Sequence, residues 1–169
     1  TPVVRDEILE RLGLPASTPQ LLRGFARPNL AFRVLETQSK AQRTQAIDGL
    51  LRDGLGEAGS GRGTAIIYAP TRKSTEEEAL RLTDDGWGAA AYHAGMDGER
   101  RAQVQSAFAA GQQEIVVATN AFGMGIDRSD VRCIGHLGPP GSVEAYYQEA
   151  GRAGRDSAPA SCLLLVSPG

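Results

Sequence analysis

The chain has 169 residues, of which 41% are hydrophobic and 22% charged, and a formal net charge of -2. These values are typical of one globular domain. No apolar run approaches the ~20 residues that a transmembrane helix needs. The net charge excludes a uniformly basic nucleic-acid coat protein but is compatible with a local basic groove. Cys133 and Cys162 lie far apart in apolar stretches without metal-ligand spacing, which predicts buried free thiols and a reducing, cytosolic setting.

Hydrophobic periodicity divides the chain into an irregular first part, up to residue 63, and a second part in which strands and helices alternate. Residues 3–12 are predicted to form an amphipathic helix that stops at Gly13, and a loop rich in Pro, Ser and Thr follows. A weak alternation of apolar and polar residues predicts a strand at 30–35, and a helix is predicted at 40–51. Residues 54–63 are predicted to form a Gly-rich surface loop.

From residue 64 onward, predicted strands and helices alternate along the chain. The predicted strands are 65–68, 89–92, 115–118, 133–136 and 162–166, and the predicted helices are 74–82, 98–109 and 143–150. Such alternation implies βαβ units with right-handed crossovers and a mostly parallel sheet. The fold class is therefore α/β, with three α/β/α layers, and ligands are expected beyond the carboxyl ends of the strands.

The most informative segment, residues 146–156, carries two arginines three positions apart, each directly after a glycine. On a helix, Arg152 and Arg155 would be neighbours on one face, and Gly151 and Gly154 would let a ligand approach closely. Arginine binds phosphate through paired donors and keeps its charge, so the pair predicts a solvent-exposed polyphosphate site. The alternative is a solvated, arginine-bearing helix end that stops at glycine.

Residues 118–127 leave a predicted buried strand and enter a turn that contains Gly123 and Gly125. The Thr119 hydroxyl and the backbone N–H groups of this turn can hold phosphate oxygens, and Asp127 can accept a ribose hydroxyl or orient an arginine. The alternative is a strand-to-loop connection whose glycines only permit tight turns. A third glycine at dinucleotide-binding spacing is missing, so the segment is weak support for such a site.

Two further strand ends carry polar residues that suit a nucleic-acid backbone. Thr71 either caps the following helix or joins Arg72 in contacting nucleic acid, and capping is the preferred interpretation when the threonine is considered alone. His93 is either a contact to a DNA phosphate or a structural histidine whose ring nitrogens are satisfied inside the protein. The sequence shows no catalytic triad, paired-carboxylate site or metal cluster.

Together these motifs resemble the second RecA-like lobe of a RecQ-type superfamily 2 helicase. The two specific runs are residues 121–127, Ala-Phe-Gly-Met-Gly-Ile-Asp, and residues 151–156, Gly-Arg-Ala-Gly-Arg-Asp. Residues 66–68 and 91–95 match patterns shared more widely among helicases. Residues 25–30, Phe-Ala-Arg-Pro-Asn-Leu, are similar to the segment that opens this lobe in the family.

The resemblance implies a division of the chain and a function. Residues 1–24 would form an interlobe connector helix and loop, and residues 25–169 the second RecA-like lobe of an ATP-dependent DNA helicase that works in repair or recombination. ATP and Mg²⁺ would be bound mainly by the first lobe. The implied partners are that lobe and DNA, single-stranded or at a duplex junction, with no membrane, in the cytoplasm or, in a eukaryote, the nucleus.

The sequence lacks two motifs that an ATPase of this kind needs. It contains no Gly-x-x-x-x-Gly-Lys-Ser/Thr loop for the β- and γ-phosphates and no Asp-Glu-x-His motif for magnesium. We therefore expect this chain to supply one half of an ATP site and to be inactive by itself.

The resemblance also implies roles for the matching residues. Arg155 matches the arginine finger that reaches the γ-phosphate, and Arg152 matches its companion. The implied nucleotide-linked positions are Gln148, Asp127 and Gly125, and the positions implied near the single-strand track are Thr71, Arg72, His93, Thr119 and Asn120. Ser157 stands where the family often has Gly, and Gly138 where it often has Asp, so both positions raise a question about local loop geometry.

Two other classes of function are alternatives to the motor lobe. A non-catalytic RecA-like adaptor that binds DNA or a protein partner would keep the fold, but it would have no need of both arginines. A small nucleotide-binding oxidoreductase would require a Rossmann fingerprint, which the sequence lacks.

Overall fold

A six-stranded sheet organises the molecule, for which the computed structural model describes residues 7, 9–15, 17–18, 26–120, 122 and 128–168. All strand pairs in this described part are parallel. The strands, in chain order, are β1 (Leu30–Glu36), β2 (Thr64–Tyr68), β3 (Ala89–Tyr92), β4 (Ile115–Ala118), β5 (Val131–His136) and β6 (Ala160–Val166). Their order across the sheet is β1-β6-β5-β2-β4-β3.

Helices connect the strands, and each begins at a residue whose side chain accepts a backbone N–H of the first turn. They are α1 (Lys40–Leu55), α2 (Arg72–Asp84), α3 (Gly98–Ala109) and α4 (Val143–Ala150). The capping residues are Ser39, Thr71, Asp97 and Ser142. Such caps satisfy donors that the helix itself leaves free. The predicted strands and helices from residue 30 onward are confirmed, and so is the capping role of Thr71. The loop predicted at 54–63 is wrong at its start, because α1 continues to buried Leu55.

The core lies on both faces of the sheet. Ile66 and Ile67 are neighbours in β2, yet they belong to different clusters because successive strand side chains point to opposite faces. One cluster packs beneath α1 and α2, and the other beneath α3 and α4. The predicted three-layer α/β/α arrangement is therefore confirmed.

The two cysteines are free and buried, as predicted. Burial raises the pKa of Cys133 and the pKa of Cys162 to about 12. Both thiols therefore stay protonated at neutral pH and act as small apolar side chains of the core.

The start of the chain is described only in part. Residues 7 and 9–11 are helical, and Gly13 has φ 64, in agreement with the predicted helix and its stop. Residues 1–6, 8 and 19–25 lie outside the described residues. Within the described ranges, no helix is both long and apolar enough to cross a membrane.

The two departures from the family pattern have different structural consequences. Ser157 has φ 67, a left-handed conformation that disfavours residues with a Cβ atom. Gly138 needs no glycine for space, because an added Cβ atom would meet only Cγ of Pro70, at 4.0 Å. The departure at Ser157 therefore introduces local strain, whereas the departure at Gly138 does not.

We expect Ser157→Gly to raise the free energy of unfolding by about 0.5–1 kcal/mol. The left-handed conformation costs an L-residue about 1–2 kcal/mol, and the greater freedom of glycine in the unfolded chain offsets part of that gain. The measurement is the urea midpoint of this chain. Ser106→Gly, at an exposed position in α3, is the matched control and should lower stability by a similar amount. A Ser157→Gly protein no more stable than the parent would contradict the prediction.

Candidate functional site

The two arginines lie in a turn between α4 and β6 that we call the arginine loop, residues 151–158. The α-helix ends at Ala150, and residues 151–156 form turns. Gly154 adopts φ 54, and its N–H donates to the carbonyl oxygen of Val131 at 2.8 Å. The expectation that Arg152 and Arg155 share one helix face is therefore wrong, because the chain turns away before the second arginine.

The two arginines also differ in exposure. Arg155 is exposed, as expected, whereas Arg152 is half-buried and lies beside the hydroxyl of Tyr68. Burial raises the pKa of Tyr68 to about 12, even though the guanidinium of Arg152 acts in the opposite direction. The expectation that both arginines are solvent-exposed is thus wrong for Arg152, whose position suits a supporting role.

The arginine loop is attached to the amino ends of the strands. Val131, whose carbonyl accepts from Gly154, is the first residue of β5. The carboxylate of Asp156 pairs with Arg132, also near the start of β5, and this hydrogen bond lowers the pKa of Asp156. Arg155 is therefore presented at the end of the sheet opposite to the strand ends where the other candidate residues lie.

The carboxyl end of the sheet brings together the candidates predicted near a nucleic-acid strand. Strands β2, β4 and β3 are neighbours, with Tyr68, Ala118 and Tyr92 in register, so the segments that follow them meet at one edge. Half-buried Thr119 and exposed Asn120 line an open cavity of about 410 Å³ at this edge.

The hydroxyl of Thr71 is already engaged at the start of α2. It accepts the N–H of Ser74 at 3.0 Å, and the Ser74 hydroxyl accepts the N–H of Thr71 at 3.1 Å. Neighbouring Arg72 is exposed and lies over Gly95, where an added Cβ atom would be 2.9 Å from its Nη1. Of these two candidates, Arg72 is the one whose side chain is presented at the edge.

His93 is satisfied inside the protein. It is 5% exposed, its Nδ1 lies 3.2 Å from the N–H of Gly95, and its Nε2 lies 2.9 Å from Oε1 of Glu76. Because Nδ1 accepts, the ring proton of neutral His93 is on Nε2 and is donated to Glu76. This geometry favours the structural alternative stated for His93 over a direct contact to DNA.

Basic side chains begin three of the four helices named above at the carboxyl edge, whereas α4, which also begins there, carries Glu144 in its first turn. Helices α1, α2 and α3 follow β1, β2 and β3, so their first turns lie at this edge. Each first turn carries two basic residues: Lys40 and Arg43, Arg72 and Lys73, and Arg100 and Arg101. Helix N-termini add partial positive charge, so this edge suits a polyanion.

Of the three positions implied to be linked to the nucleotide, the structure describes one. Gln148 is exposed on α4, four residues before Arg152. Gly125 and Asp127 lie outside the described residues. Among the residues that the structure does describe, no group of three or more His, Cys, Asp or Glu side chains is arranged to hold a metal ion.

A buried hydrogen bond between two side chains in the cavity wall was not predicted from the sequence. His136 is 1% exposed, and its Nε2 lies 2.8 Å from Oε2 of Glu149 on α4. The ring of His136 stacks on Tyr68, with centroids 5.0 Å apart, and joins β5 to the helix that leads into the arginine loop. Arg27 and Asn29, which bond to carbonyl oxygens of that loop, were also missed as functional residues.

The parallel sheet covered by helices on both faces defines a structural class, the RecA-like domain. A solved complex of S. cerevisiae dbp5 superimposes with a TM-score of 0.76 over 99% of this chain and 42% of that chain, at 17% identity. A DEAD box protein from Methanococcus jannaschii gives a TM-score of 0.73 over 96% of this chain and 42% of that chain, at 23% identity. These likenesses confirm the predicted RecA-like fold.

Sequence comparison identifies the family. Residues 38–157 match the family described as helicase conserved C-terminal domain, and the chain belongs to this family. An ATP-dependent DNA helicase RecQ from Pasteurella multocida is 41% identical over 97% of this chain and 24% of its own length. The mouse bifunctional 3'-5' exonuclease/ATP-dependent helicase WRN is 39% identical over 98% of this chain and 12% of its own length. The predicted RecQ-type resemblance is thus confirmed, and this chain spans a quarter or less of these two relatives.

Proposed function

We propose that this chain is the second motor lobe of an ATP-dependent DNA helicase. In this proposal, residues 25–169 form the lobe and residues 1–24 connect it to a first RecA-like lobe. The observation that carries the proposal is the separation of two sets of side chains on one sheet. Exposed Arg155 is at the amino end of the strands, and the basic helix starts with Thr119 and Asn120 are at the carboxyl end.

The amino-end set suits the phosphates of ATP. Arg155 offers a permanently charged fork of donors that matches phosphate oxygens, and arginine fingers stabilise the charge that develops on a transferred γ-phosphoryl group. Arg27 and Asn29 donate hydrogen bonds to carbonyl oxygens of the arginine loop, which hold the backbone that presents exposed Arg155. Half-buried Arg152 would support this position from behind. The first lobe would hold Mg²⁺ and most of the nucleotide.

The carboxyl-end set suits the backbone of a DNA strand. Arg72 and the basic residues of the helix starts would neutralise phosphates, while Thr119 and Asn120 would supply neutral hydrogen bonds from the cavity wall. Such contacts are independent of sequence and weaken as salt rises. Because one sheet carries both sets, movement of the lobe relative to ATP would also move the residues that contact the DNA strand. Unwinding requires such coupling between ATP hydrolysis and DNA movement.

The proposal is tested by comparing ATP hydrolysis of the full-length protein and of this chain. The full-length protein should hydrolyse ATP with stimulation by single-stranded DNA, whereas this chain should show only background turnover, because it lacks the phosphate-binding loop. Strong DNA-stimulated hydrolysis by this chain alone would contradict the proposal. Full-length protein that binds DNA without hydrolysing ATP would support a non-catalytic adaptor instead.

A further inference from the structure

We propose that Arg27 and Asn29 are positioning residues that hold the arginine loop in the geometry required by Arg155. This inference rests on the proposed function, in which Arg155 acts on ATP. It concerns the segment 25–30, for which the family resemblance provides a place in the chain but no task. Residues 26–30 of this segment are described by the structure, just before β1.

Arg27 binds three carbonyl oxygens of one turn. Its Nη2 donates to the carbonyl oxygens of Ala153 at 2.8 Å and Gly154 at 2.7 Å, and its Nη1 lies 3.4 Å from the carbonyl oxygen of Gly151. The carbonyls of the two residues that precede Arg155 in the chain are thus bound by a single planar group. Because the guanidinium donors have a fixed relative geometry, they set the relative positions of the carbonyls they bind.

Asn29 fixes the same turn from a second direction. Its side-chain Nδ2 donates to the carbonyl oxygens of Gly154 and Ala158, each at 2.9 Å. Its main-chain carbonyl oxygen accepts the N–H of Ala160 at 2.9 Å. The side-chain amide therefore spans the loop from Gly154, directly before Arg155, to Ala158, the last residue of the arginine loop. The loop ends cannot separate without breaking these bonds.

The close approach at Gly154 shows how tightly the segment and the loop fit. A Cβ atom added there would lie 2.5 Å from Nδ2 of Asn29 and 2.8 Å from the carbonyl oxygen of Ala158. On the other side, Arg132 pairs with the carboxylate of Asp156. Arg155 thus projects from a short stretch of backbone that is held on both sides, while its own side chain stays exposed.

This arrangement explains how an exposed arginine in a loop can keep a defined position. Displacing a catalytic group by about 1 Å can cost on the order of 10²-fold in rate, whereas nucleotide binding by another lobe is insensitive to such a shift. Loss of Arg27 or Asn29 should therefore appear in kcat rather than in the KM for ATP. Neither side chain needs to touch ATP for this effect.

The experiment uses the full-length protein with Arg27→Lys and Asn29→Asp, each alone and combined with Arg155→Ala. Lysine keeps the charge of Arg27 but loses the planar fork, and aspartate keeps the shape of Asn29 but cannot donate. Each single substitution is expected to lower kcat for DNA-stimulated ATP hydrolysis by roughly 10–100-fold, with the KM for ATP changed less than about twofold. Arg33→Lys, at an exposed position in β1, is the matched control and should leave both constants unchanged.

The double substitutions distinguish positioning from general damage to the fold. If Arg27 and Asn29 act through Arg155, their replacement in the Arg155→Ala background should cause no further fall in kcat, because residues that act as a unit are non-additive. An additional fall equal to that of the single substitution would overturn the inference. So would normal kcat in both single substitutions while Arg155→Ala is strongly impaired. If Arg155→Ala itself has normal turnover, the proposed function fails first and the inference fails with it.

Discussion

Replacing Arg155 with alanine in the full-length protein is expected to lower the kcat of DNA-stimulated ATP hydrolysis by about 10³–10⁵-fold, the contribution typical of arginine fingers. The affinity for ATP should fall far less, because the implied first lobe supplies the phosphate-binding loop and the magnesium site. The predicted change thus concerns charge stabilisation in the transition state rather than ground-state binding. Single-turnover hydrolysis and equilibrium binding of a fluorescent ATP analogue measure the two quantities separately.

The matched control for this substitution is Arg62→Ala. Arg62 is an exposed arginine in the loop between α1 and β2, at the same amino end of the strands but outside the arginine loop, and its removal should leave turnover unchanged. Normal turnover of the Arg155→Ala protein would remove the arginine-finger assignment. Equal losses of turnover and ATP affinity would instead assign Arg155 to nucleotide binding.

The sequence was sufficient to predict the strands and helices from residue 30 onward, because short apolar runs alternate with segments of helical period. Buried runs such as 65–68 and 115–118 become neighbouring strands, and each following helix starts at a residue with a capping side chain. The parallel arrangement follows, since strands separated by helices return to the sheet in the same direction. The order of the strands, which was not predicted, makes β2, β4 and β3 neighbours and so brings Thr119 and Asn120 to the same end of the sheet as Arg72.

The arginine loop could not be predicted because its geometry depends on contacts between distant residues. The spacing of three suggested that Arg152 and Arg155 share one face, but the helix ends at Ala150 as predicted, the N–H of Gly154 bonds to the carbonyl oxygen of Val131 and the chain turns. The carbonyls that leave the helix are bound by Arg27, which is more than 120 residues away in the chain. No local propensity or spacing encodes such a contact, and only the family resemblance drew attention to the segment.

Separation of the two edges gives the sheet a mechanical role in the proposed function. The His136–Glu149 pair joins β5 to α4, and α4 leads directly into the arginine loop. The same histidine lines the cavity at the carboxyl edge with Thr119 and Asn120. A continuous series of packed and hydrogen-bonded groups therefore runs between the proposed strand-binding edge and the proposed ATP-facing loop, and networks of this kind can carry coupling between two sites.

The second large effect is expected for Gly154→Ala, which should lower the free energy of unfolding of this chain by roughly 2–4 kcal/mol. The left-handed conformation at φ 54 would cost an alanine about 1–2 kcal/mol. The new Cβ atom would also lie 2.5 Å from Nδ2 of Asn29 and 2.8 Å from the backbone oxygen of Ala158, and relief of such overlap typically costs about 1–3 kcal/mol. Urea denaturation followed by circular dichroism measures the change.

Gly98→Ala is the matched control, because Gly98 begins α3 and an added Cβ atom there would meet nothing within 4 Å. That protein should be as stable as the parent or slightly more stable, since alanine loses less freedom in a helix than glycine does. The contrast with Ser157→Gly is informative. The same loop should become more stable when a glycine is added at position 157 and less stable when the glycine at position 154 is removed.

A loss below about 1 kcal/mol for Gly154→Ala would mean that the loop relaxes freely. In that case Arg27 and Asn29 could not hold it in one geometry, so this stability measurement also bears on the position of Arg155.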